Sequence, residues 1–117
     1  MQLRAGILIQ RRETSGRRSR IKEEVLPMAV FLVERDLPGV TMEELAAAQK
    51  KAIQMGKELT AQGRQVRYIR STFVPGENKC MCLFEASNAE HVREANERAE
   101  IPFTRIVPAA DLTPTGD

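Results

Sequence analysis

Hydrophobic and polar positions along residues 28–112 predict two helices, each of which lies between strand-like runs. The run AVFLVERD at residues 29–36 is rich in strand formers, and Leu37-Pro38-Gly39 interrupts it. Thr41 and Glu44 then form a capping-box pattern, in which each side chain satisfies a backbone donor at a helix start. Apolar residues recur at helical spacing up to a stop at Gly63, namely Leu45, Ala48, Ala52, Met55 and Leu59. The first half therefore predicts a strand followed by a long helix.

A hairpin pattern opens the second half. Residues 65–74 and 79–86 are strand-like, and the turn sequence Pro75-Gly76-Glu77-Asn78 lies between them. Because side chains alternate along a strand, Cys80 and Cys82 are expected on the same face. The hairpin thus places two soft sulfur ligands side by side, which is the plainest chemistry that the sequence offers.

The segment after the hairpin has a second helical pattern and a short final strand. Ser87 and Glu90 resemble a second capping box, and alanine and valine residues follow at helical spacing until Ile101-Pro102. Residues 103–107 predict the last strand. The order β-α-β-β-α-β predicts an α+β, ferredoxin-like fold, in which an antiparallel sheet carries both helices on one face.

Alternation within the strands assigns side chains to the two faces of this sheet. One face is nearly all apolar and is expected beneath the helices: Phe31, Val33, Ile69, Phe73, Met81, Leu83 and Ile106. The other is mixed: Val30, Leu32, Glu34, Val66, Tyr68, Arg70, Cys80, Cys82, Phe84, Phe103 and Arg105. The mixed face carries too many large apolar groups to lie in water. We therefore expect a second copy to cover it, which gives a homodimeric α+β barrel.

Polar side chains on the mixed face are the candidates for lining a cavity in that dimer. They are Glu34, Tyr68, Arg70, Cys80, Cys82 and Arg105. A ligand-binding or metal-binding protein would use this cavity, with Cys80 and Cys82 as the candidate metal ligands. A small-molecule enzyme of the isomerase or monooxygenase type is the alternative, with Glu34 as base, Tyr68 as acid and Arg70 as anion clamp. A purely structural interpretation also fits, with a Glu34–Arg70 ion pair and two ordinary buried cysteines.

Composition and charge narrow the classes of function. The chain has 117 residues, 42% of them hydrophobic and 29% charged, which is typical of one soluble globular domain. No apolar run is long enough for a membrane span or a signal peptide. We therefore expect a cytoplasmic protein with reduced cysteines and no membrane partner. Aromatic residues make up only 4% of the chain, which argues against nucleic-acid binding.

Charge also separates the chain into regions. Residues 1–27 carry seven Arg or Lys residues against three Glu and lack sustained periodicity, so they predict a disordered basic arm. This arm either lies upstream of a natural start at Met28 or contacts nucleic acid or an acidic surface. Residues 28–112 then form the ferredoxin-like domain, and residues 113–117 form a tail.

Four segments of the chain together resemble one family of small bacterial proteins. They are VERDLPGVT near the first strand, RYIRSTFV and CLFEA in the hairpin, AEHVREAN at the second helix, and IPFTRIV at the end. The family is a long-standing domain of unknown function that includes a nickel-binding protein from an actinomycete. The resemblance covers about residues 28–112 and implies a ferredoxin-like fold, a dimeric α+β barrel and a divalent transition metal, nickel, as a possible cofactor.

Only some of the family's features are present in this chain. Cys82 stands where many relatives have a cysteine in the second hairpin strand. Arg70 and Ala95 stand where a number of relatives have histidine, so the chain lacks the imidazoles best suited to nickel. The resemblance therefore leaves both a metal ion and a small molecule as expected ligands.

Overall fold

The computed structural model describes residues 27–114 as four strands and two α-helices. The elements are β1 (Ala29–Asp36), α1 (Met42–Ala61), β2 (Val66–Val74), β3 (Lys79–Ala86), α2 (Ala89–Arg98) and β4 (Arg105–Ala109), and a short 3-10 turn (Pro75–Glu77) joins β2 to β3. The arm predicted for residues 1–27 and the end of the predicted tail lie almost wholly outside the described residues. None of the helices between residues 27 and 114 combines the length and the apolar character that crossing a membrane requires.

The strands form one antiparallel sheet in the order β2-β3-β1-β4. Residues from both helices pack with residues of the sheet in a single core, which includes Leu59 of α1, Val92 of α2 and Phe84 of β3. The predicted α+β, ferredoxin-like arrangement is confirmed, and β1 and β3 lie at the centre of the sheet.

Local sequence signals explain how the helices begin. The Thr41 hydroxyl accepts a hydrogen bond from the Glu44 backbone N–H at 3.0 Å, and the Glu44 carboxylate accepts one from the Thr41 N–H at 2.9 Å, so the predicted capping box is present. The second helix differs from the prediction. Asn88, rather than Ser87, is its N-cap and accepts from the backbone N–H of His91 at 3.0 Å.

The close approach of α1 to β2 depends on a glycine. Gly56 is buried, and a Cβ atom at this position would lie 3.1 Å from the backbone oxygen of Val66. A side chain there would push the helix away from the strand. The missing side chain therefore helps to set the spacing between helix and sheet.

The face assignment of β3 was wrong. The cross-strand partner of Val33 is Cys82 and that of Phe31 is Phe84, so these residues share one face, and all four are buried. Met81 and Leu83 lie on the opposite face instead of beneath the helices. The reason is that strand pairing, and not alternation within one strand, decides which face is covered.

A β-bulge in β2 and a shift of the last strand account for the other differences. The pairing register of β2 with β3 shifts between Tyr68 and Arg70, so Ile69 is an extra residue. Val66 and Tyr68 therefore lie on the helix-covered face, as Phe73 does, whereas Arg70 lies on the open face. The last strand begins at Arg105, two residues later than predicted, and Phe103 packs against the core before it.

Candidate functional site

A cavity of about 430 Å³ lies between α1 and the sheet, near the start of the helix and the tip of the hairpin. Most of its wall is apolar, formed by Leu37, Met42, Leu45, Ala48, Ala52, Phe73, Pro75 and Ile101. A smaller polar part is formed by Arg35, Gln49, Tyr68, Ser71, Cys80 and Cys82. The cavity thus joins an apolar wall to a compact group of polar and sulfur-containing side chains.

Arg35 is the charged member of this polar group. It follows Phe31 and Val33 on the covered face of β1, and only 2% of its surface is exposed. Its guanidinium donates from Nε to Cys82 Sγ at 3.2 Å, from Nη2 to Asn96 Oδ1 at 2.7 Å and from Nη1 to the Pro102 carbonyl at 3.2 Å. None of these three acceptors is a carboxylate. The positive charge is therefore buried beside a thiol sulfur and two neutral oxygens.

The Cys82 sulfur is the acceptor on which several donors converge. Besides Arg35 Nε, the hydroxyl of Ser71 donates to it at 2.9 Å. The Cys80 sulfur lies 3.8 Å away on the same face of β3. Two donors and a neighbouring thiol therefore surround this one sulfur.

A chain of hydrogen bonds links this sulfur to the outer part of the cavity. Gln49 Nε2 on α1 donates to the Tyr68 hydroxyl at 2.8 Å, and the Tyr68 and Ser71 hydroxyls are 2.6 Å apart. Because Tyr68 accepts from Gln49 and Ser71 donates to Cys82, the consistent direction is donation from Tyr68 to Ser71. Each hydrogen bond in this series is therefore donated in the direction of Cys82.

The environment of Cys80 changes the pKa of its thiol. Burial and the neighbouring Cys82 raise the pKa of the Cys80 thiol from 9.0 to about 11, although Arg35 and Ser71 act in the opposite direction. Both cysteines are free and buried. At neutral pH Cys80 therefore keeps its proton and is available as a donor to the sulfur beside it.

The structure divides the six sequence-predicted site residues between the two faces of the sheet. Tyr68, Cys80 and Cys82 line the cavity beneath α1, and they lie close together as expected. Glu34, Arg70 and Arg105 lie on the opposite, open face, so the expectation of one shared cleft was wrong. The physical reason is the strand register of β3 and the bulge in β2 described above.

The open-face residues form surface ion pairs. Arg105 Nε donates to Glu34 Oε1 at 2.7 Å, and Arg70 pairs with Asp111 beyond β4. The expected Glu34–Arg70 pair is therefore replaced by two others. The Glu34 carboxylate raises the pKa of the exposed Arg105 guanidinium, which stays fully charged.

Four polar residues of the hydrogen-bond network around Arg35 and Cys82 were missed by the sequence analysis: Arg35, Gln49, Ser71 and Asn96. A signal for Arg35 was present, because it shares the parity of Phe31 and Val33, which were correctly placed beneath the helices. A charged residue on a covered face is rare unless it has partners. Gln49, Ser71 and Asn96 carried no comparable signal, since each is an ordinary polar residue on a strand or helix.

Comparisons with known proteins agree with this architecture. The crystal structure of SCO4226 from Streptomyces coelicolor A3(2) matches the chain with a TM-score of 0.62 and 22% sequence identity, and the match covers 73% of this chain and 100% of that one. No curated protein matches the chain. A family model described as "Nickel responsive protein SCO4226-like" matches residues 31–108, which is more than half of the chain. The protein belongs to the SCO4226-like family.

Proposed function

We propose that the protein binds a small organic molecule in the cavity beneath α1, and that it does so as a homodimer packed through the open face of the sheet. The observation that carries the ligand proposal is the cavity itself, about 430 Å³ in volume with an apolar wall and a polar end built around Arg35. Binding sites for small molecules have this size and this combination of surfaces.

The polar end is suited to fixing the orientation of a ligand. Arg35 and Asn96 are buried and hydrogen-bonded to each other, and Asn96 also donates to the Val92 carbonyl at 2.8 Å. Side chains held by such contacts do not need to reorganise when a ligand arrives. The apolar wall supplies binding free energy, while the hydroxyls of Tyr68 and Ser71 offer groups for hydrogen bonding.

The family's description suggests nickel as a ligand for this site. The cavity offers the sulfurs of Cys80 and Cys82, 3.8 Å apart. However, the Arg35 guanidinium donates to Cys82, so a divalent cation on that sulfur would face a buried positive charge. Within residues 27–114, no three side chains of His, Cys, Asp or Glu come together as a group that would hold a metal ion. The donor set therefore fits a neutral or anionic ligand better than a metal cation, and nickel serves as the competing ligand in the test.

The homodimer proposal is supported by the open face of the sheet. Five apolar side chains lie on or beside this face and are only half-buried, although no helix of the described chain covers them: Val30, Leu32, Met81, Leu83 and Val107. The Glu34–Arg105 and Arg67–Glu85 ion pairs flank them. An apolar centre with a charged rim is typical of a protein–protein contact, and two identical faces pack most simply by two-fold symmetry.

The ligand proposal is tested with 1-anilinonaphthalene-8-sulfonate, a fluorescent anion with an apolar body. Wild-type protein is expected to bind it saturably. Ala48→Leu, which fills part of the cavity wall, is expected to weaken binding about 10-fold or more. Ala46→Leu, on the exposed side of the same helix, is the matched control and should bind like the wild type. Equal binding by both variants would contradict the proposal, as would displacement of the dye by stoichiometric nickel.

The dimer proposal is tested by light scattering. The wild type should have twice the chain mass of 13.1 kDa. Leu83→Lys places a charge at the centre of the open face and should shift the mass to that of one chain, whereas Ala47→Lys, on exposed α1, should leave it unchanged. A wild-type monomer at all concentrations would exclude this dimer.

A further inference from the structure

We propose that Cys82 is a nucleophile that reduces an organic hydroperoxide bound in the cavity and is itself converted to a sulfenic acid. This inference rests on the proposed function in one respect, since it uses the same cavity for the organic part of the substrate. The geometry that supports it is the convergence of Arg35, Ser71 and Cys80 on a single sulfur.

The Cys82 sulfur lies beside the buried positive charge of Arg35. The buried guanidinium of Arg35 has the neutral oxygens of Asn96 and Pro102 as its other acceptors, and within residues 27–114 it pairs with no carboxylate. The Cys82 sulfur is its third acceptor, and Ser71 also donates to that sulfur. A thiolate at Cys82 balances the charge of Arg35 and uses both hydrogen bonds. The thiolate is the form of cysteine that attacks electrophiles.

The donors around Cys82 suit an electrophile that releases negative charge on oxygen. Attack on a hydroperoxide leaves negative charge on oxygen, and that charge is stabilised by hydrogen-bond donors placed around the reacting sulfur. Ser71 and the protonated Cys80 thiol are such donors within 3.8 Å of Cys82. The donor arrangement therefore suits a peroxide.

The reaction balances with the groups present and one hydroperoxide. The Cys82 sulfur attacks the terminal oxygen of R–O–O–H, the S–O bond forms, and the O–O bond breaks with its electron pair leaving on the alkoxide. The alkoxide takes the proton of the Cys80 thiol and leaves as the alcohol R–OH. The Cys82 sulfur is oxidised by two electrons to –SOH, and the peroxide bond is reduced. The Cys80 sulfur, now negative, lies beside the same Arg35 guanidinium.

The apolar wall of the cavity is suited to the organic part of the substrate. The wall facing the sulfur is formed by side chains such as Leu37, Leu45 and Phe73, so most of the cavity is suited to hydrocarbon. Hydrogen peroxide has no apolar group that could contact such a wall and so gains no binding free energy from it. An organic hydroperoxide with a compact apolar group gains binding free energy there, and its reactive end is held against Cys82.

The experiment compares cumene hydroperoxide with hydrogen peroxide on reduced, full-length protein. Sulfenic acid is trapped with dimedone and located by peptide mass spectrometry. We expect the adduct on Cys82, formed at least about 10-fold faster with cumene hydroperoxide than with hydrogen peroxide. Cys82→Ser should abolish the adduct. An adduct on Cys80 instead, or a rate no greater than that of free glutathione, would overturn the proposal.

Two further variants separate the roles of the donors and of the wall. Ser71→Ala should slow the reaction with both peroxides by about 10-fold or more, because one donor to the sulfur is lost. Ala48→Leu should remove the preference for cumene hydroperoxide while hydrogen peroxide still reacts, and Ala46→Leu should keep that preference. A Ser71→Ala variant with unchanged rates would contradict the proposal even if the other predictions hold.

The outcome also distinguishes this inference from the proposed function. If the naphthalene dye binds in the cavity but Cys82 reacts no faster than glutathione, the hydroperoxide inference is wrong and the ligand site stands. If the dye does not bind and Cys82 shows no preference between the two peroxides, both are wrong.

Discussion

Two arginines on opposite faces of the same sheet show how differently one residue type can act. Arg105 lies on the open face, its side chain is 60% exposed, and its partner is the carboxylate of Glu34. Arg35 follows Glu34 directly in β1 and points to the other face, where it is 2% exposed and bonded to a sulfur and two neutral oxygens. A charge that water can reach is nearly independent of its neighbours. A charge buried beneath the helices interacts strongly with every group around it, so these groups depend on one another electrostatically.

The largest expected effect is the loss of the buried arginine. Arg35→Ala removes the donor to Asn96 and to the Pro102 carbonyl and one of the two donors to Cys82, so we expect the free energy of unfolding to fall by about 3 kcal/mol or more. Urea denaturation measures this change. Arg105→Ala is the matched control and should leave the midpoint almost unchanged. Similar losses in both variants would show that the two faces do not differ in this way.

The next effect is a dependence of stability on alkaline pH that arises on the buried face. Burial, together with Cys82, raises the pKa of Cys80 from 9.0 to about 11. Between these values the unfolded chain has lost the proton that the folded protein retains, so the free energy of unfolding falls as the pH rises from 9.0 to about 11. Below pH 9.0 this contribution is constant.

Cys80→Ala is the control for that dependence, because it keeps every other group that titrates in the same range, including Lys79. The difference in unfolding free energy between the wild type and Cys80→Ala should decline across this pH interval. A constant difference would mean that Cys80 has the same pKa in the folded and the unfolded protein, as an exposed thiol would.

A smaller effect is expected within the hydroxyl chain, the series of hydrogen bonds that links Gln49, Tyr68 and Ser71 to Cys82. Tyr68→Phe removes the hydrogen bonds to Ser71 and from Gln49 but keeps the edge-to-face contact with Phe84, whose ring centroid is 5.5 Å away. We expect a loss of about 1 kcal/mol in the free energy of unfolding, measured by urea denaturation. An unchanged stability would show that water replaces the hydroxyl and that this end of the cluster is open.

The smallest effect is expected on the open face. Arg67 donates to Glu85 across β2 and β3 at 2.8 Å, and its side chain is 63% exposed. Arg67→Ala should change the free energy of unfolding by at most about 0.5 kcal/mol, and added salt should reduce even that difference. A loss as large as that for Tyr68→Phe would contradict the contrast between the faces.

The fold was predictable because its signals are local. Thr41 and Glu44 cap α1 wherever the helix packs, and the element order alone restricts an antiparallel sheet with two helices to few arrangements. The faces of β3 were not predictable in this way, because Cys80, Cys82 and Phe84 alternate with Met81 and Leu83, so both faces are apolar. Only the pairing with β1, a contact distant in sequence, decides between them.

The candidate site was predictable only in part, for a related reason. The shared face of Cys80 and Cys82 follows from their spacing and is present in the structure. Their partners come from separate elements, Arg35 from β1, Ser71 from β2 and Asn96 from α2. No spacing in the sequence links these residues, so the cluster depends on tertiary packing.

Because of the bulge in β2, the chain of hydrogen bonds to Cys82 depends on the number of residues in the strand and not on which residue forms the bulge. Tyr68 and Ser71 are three positions apart, and in a regular strand residues at that separation point to opposite faces. Replacing Ile69 with another side chain keeps the count and leaves the two hydroxyls within 2.6 Å of each other. Deleting it would turn one of them away, and Gln49 would lose its path to the sulfur. Among related chains, a gap of one residue at this position would therefore distinguish proteins without the hydroxyl chain more reliably than any substitution of Ile69.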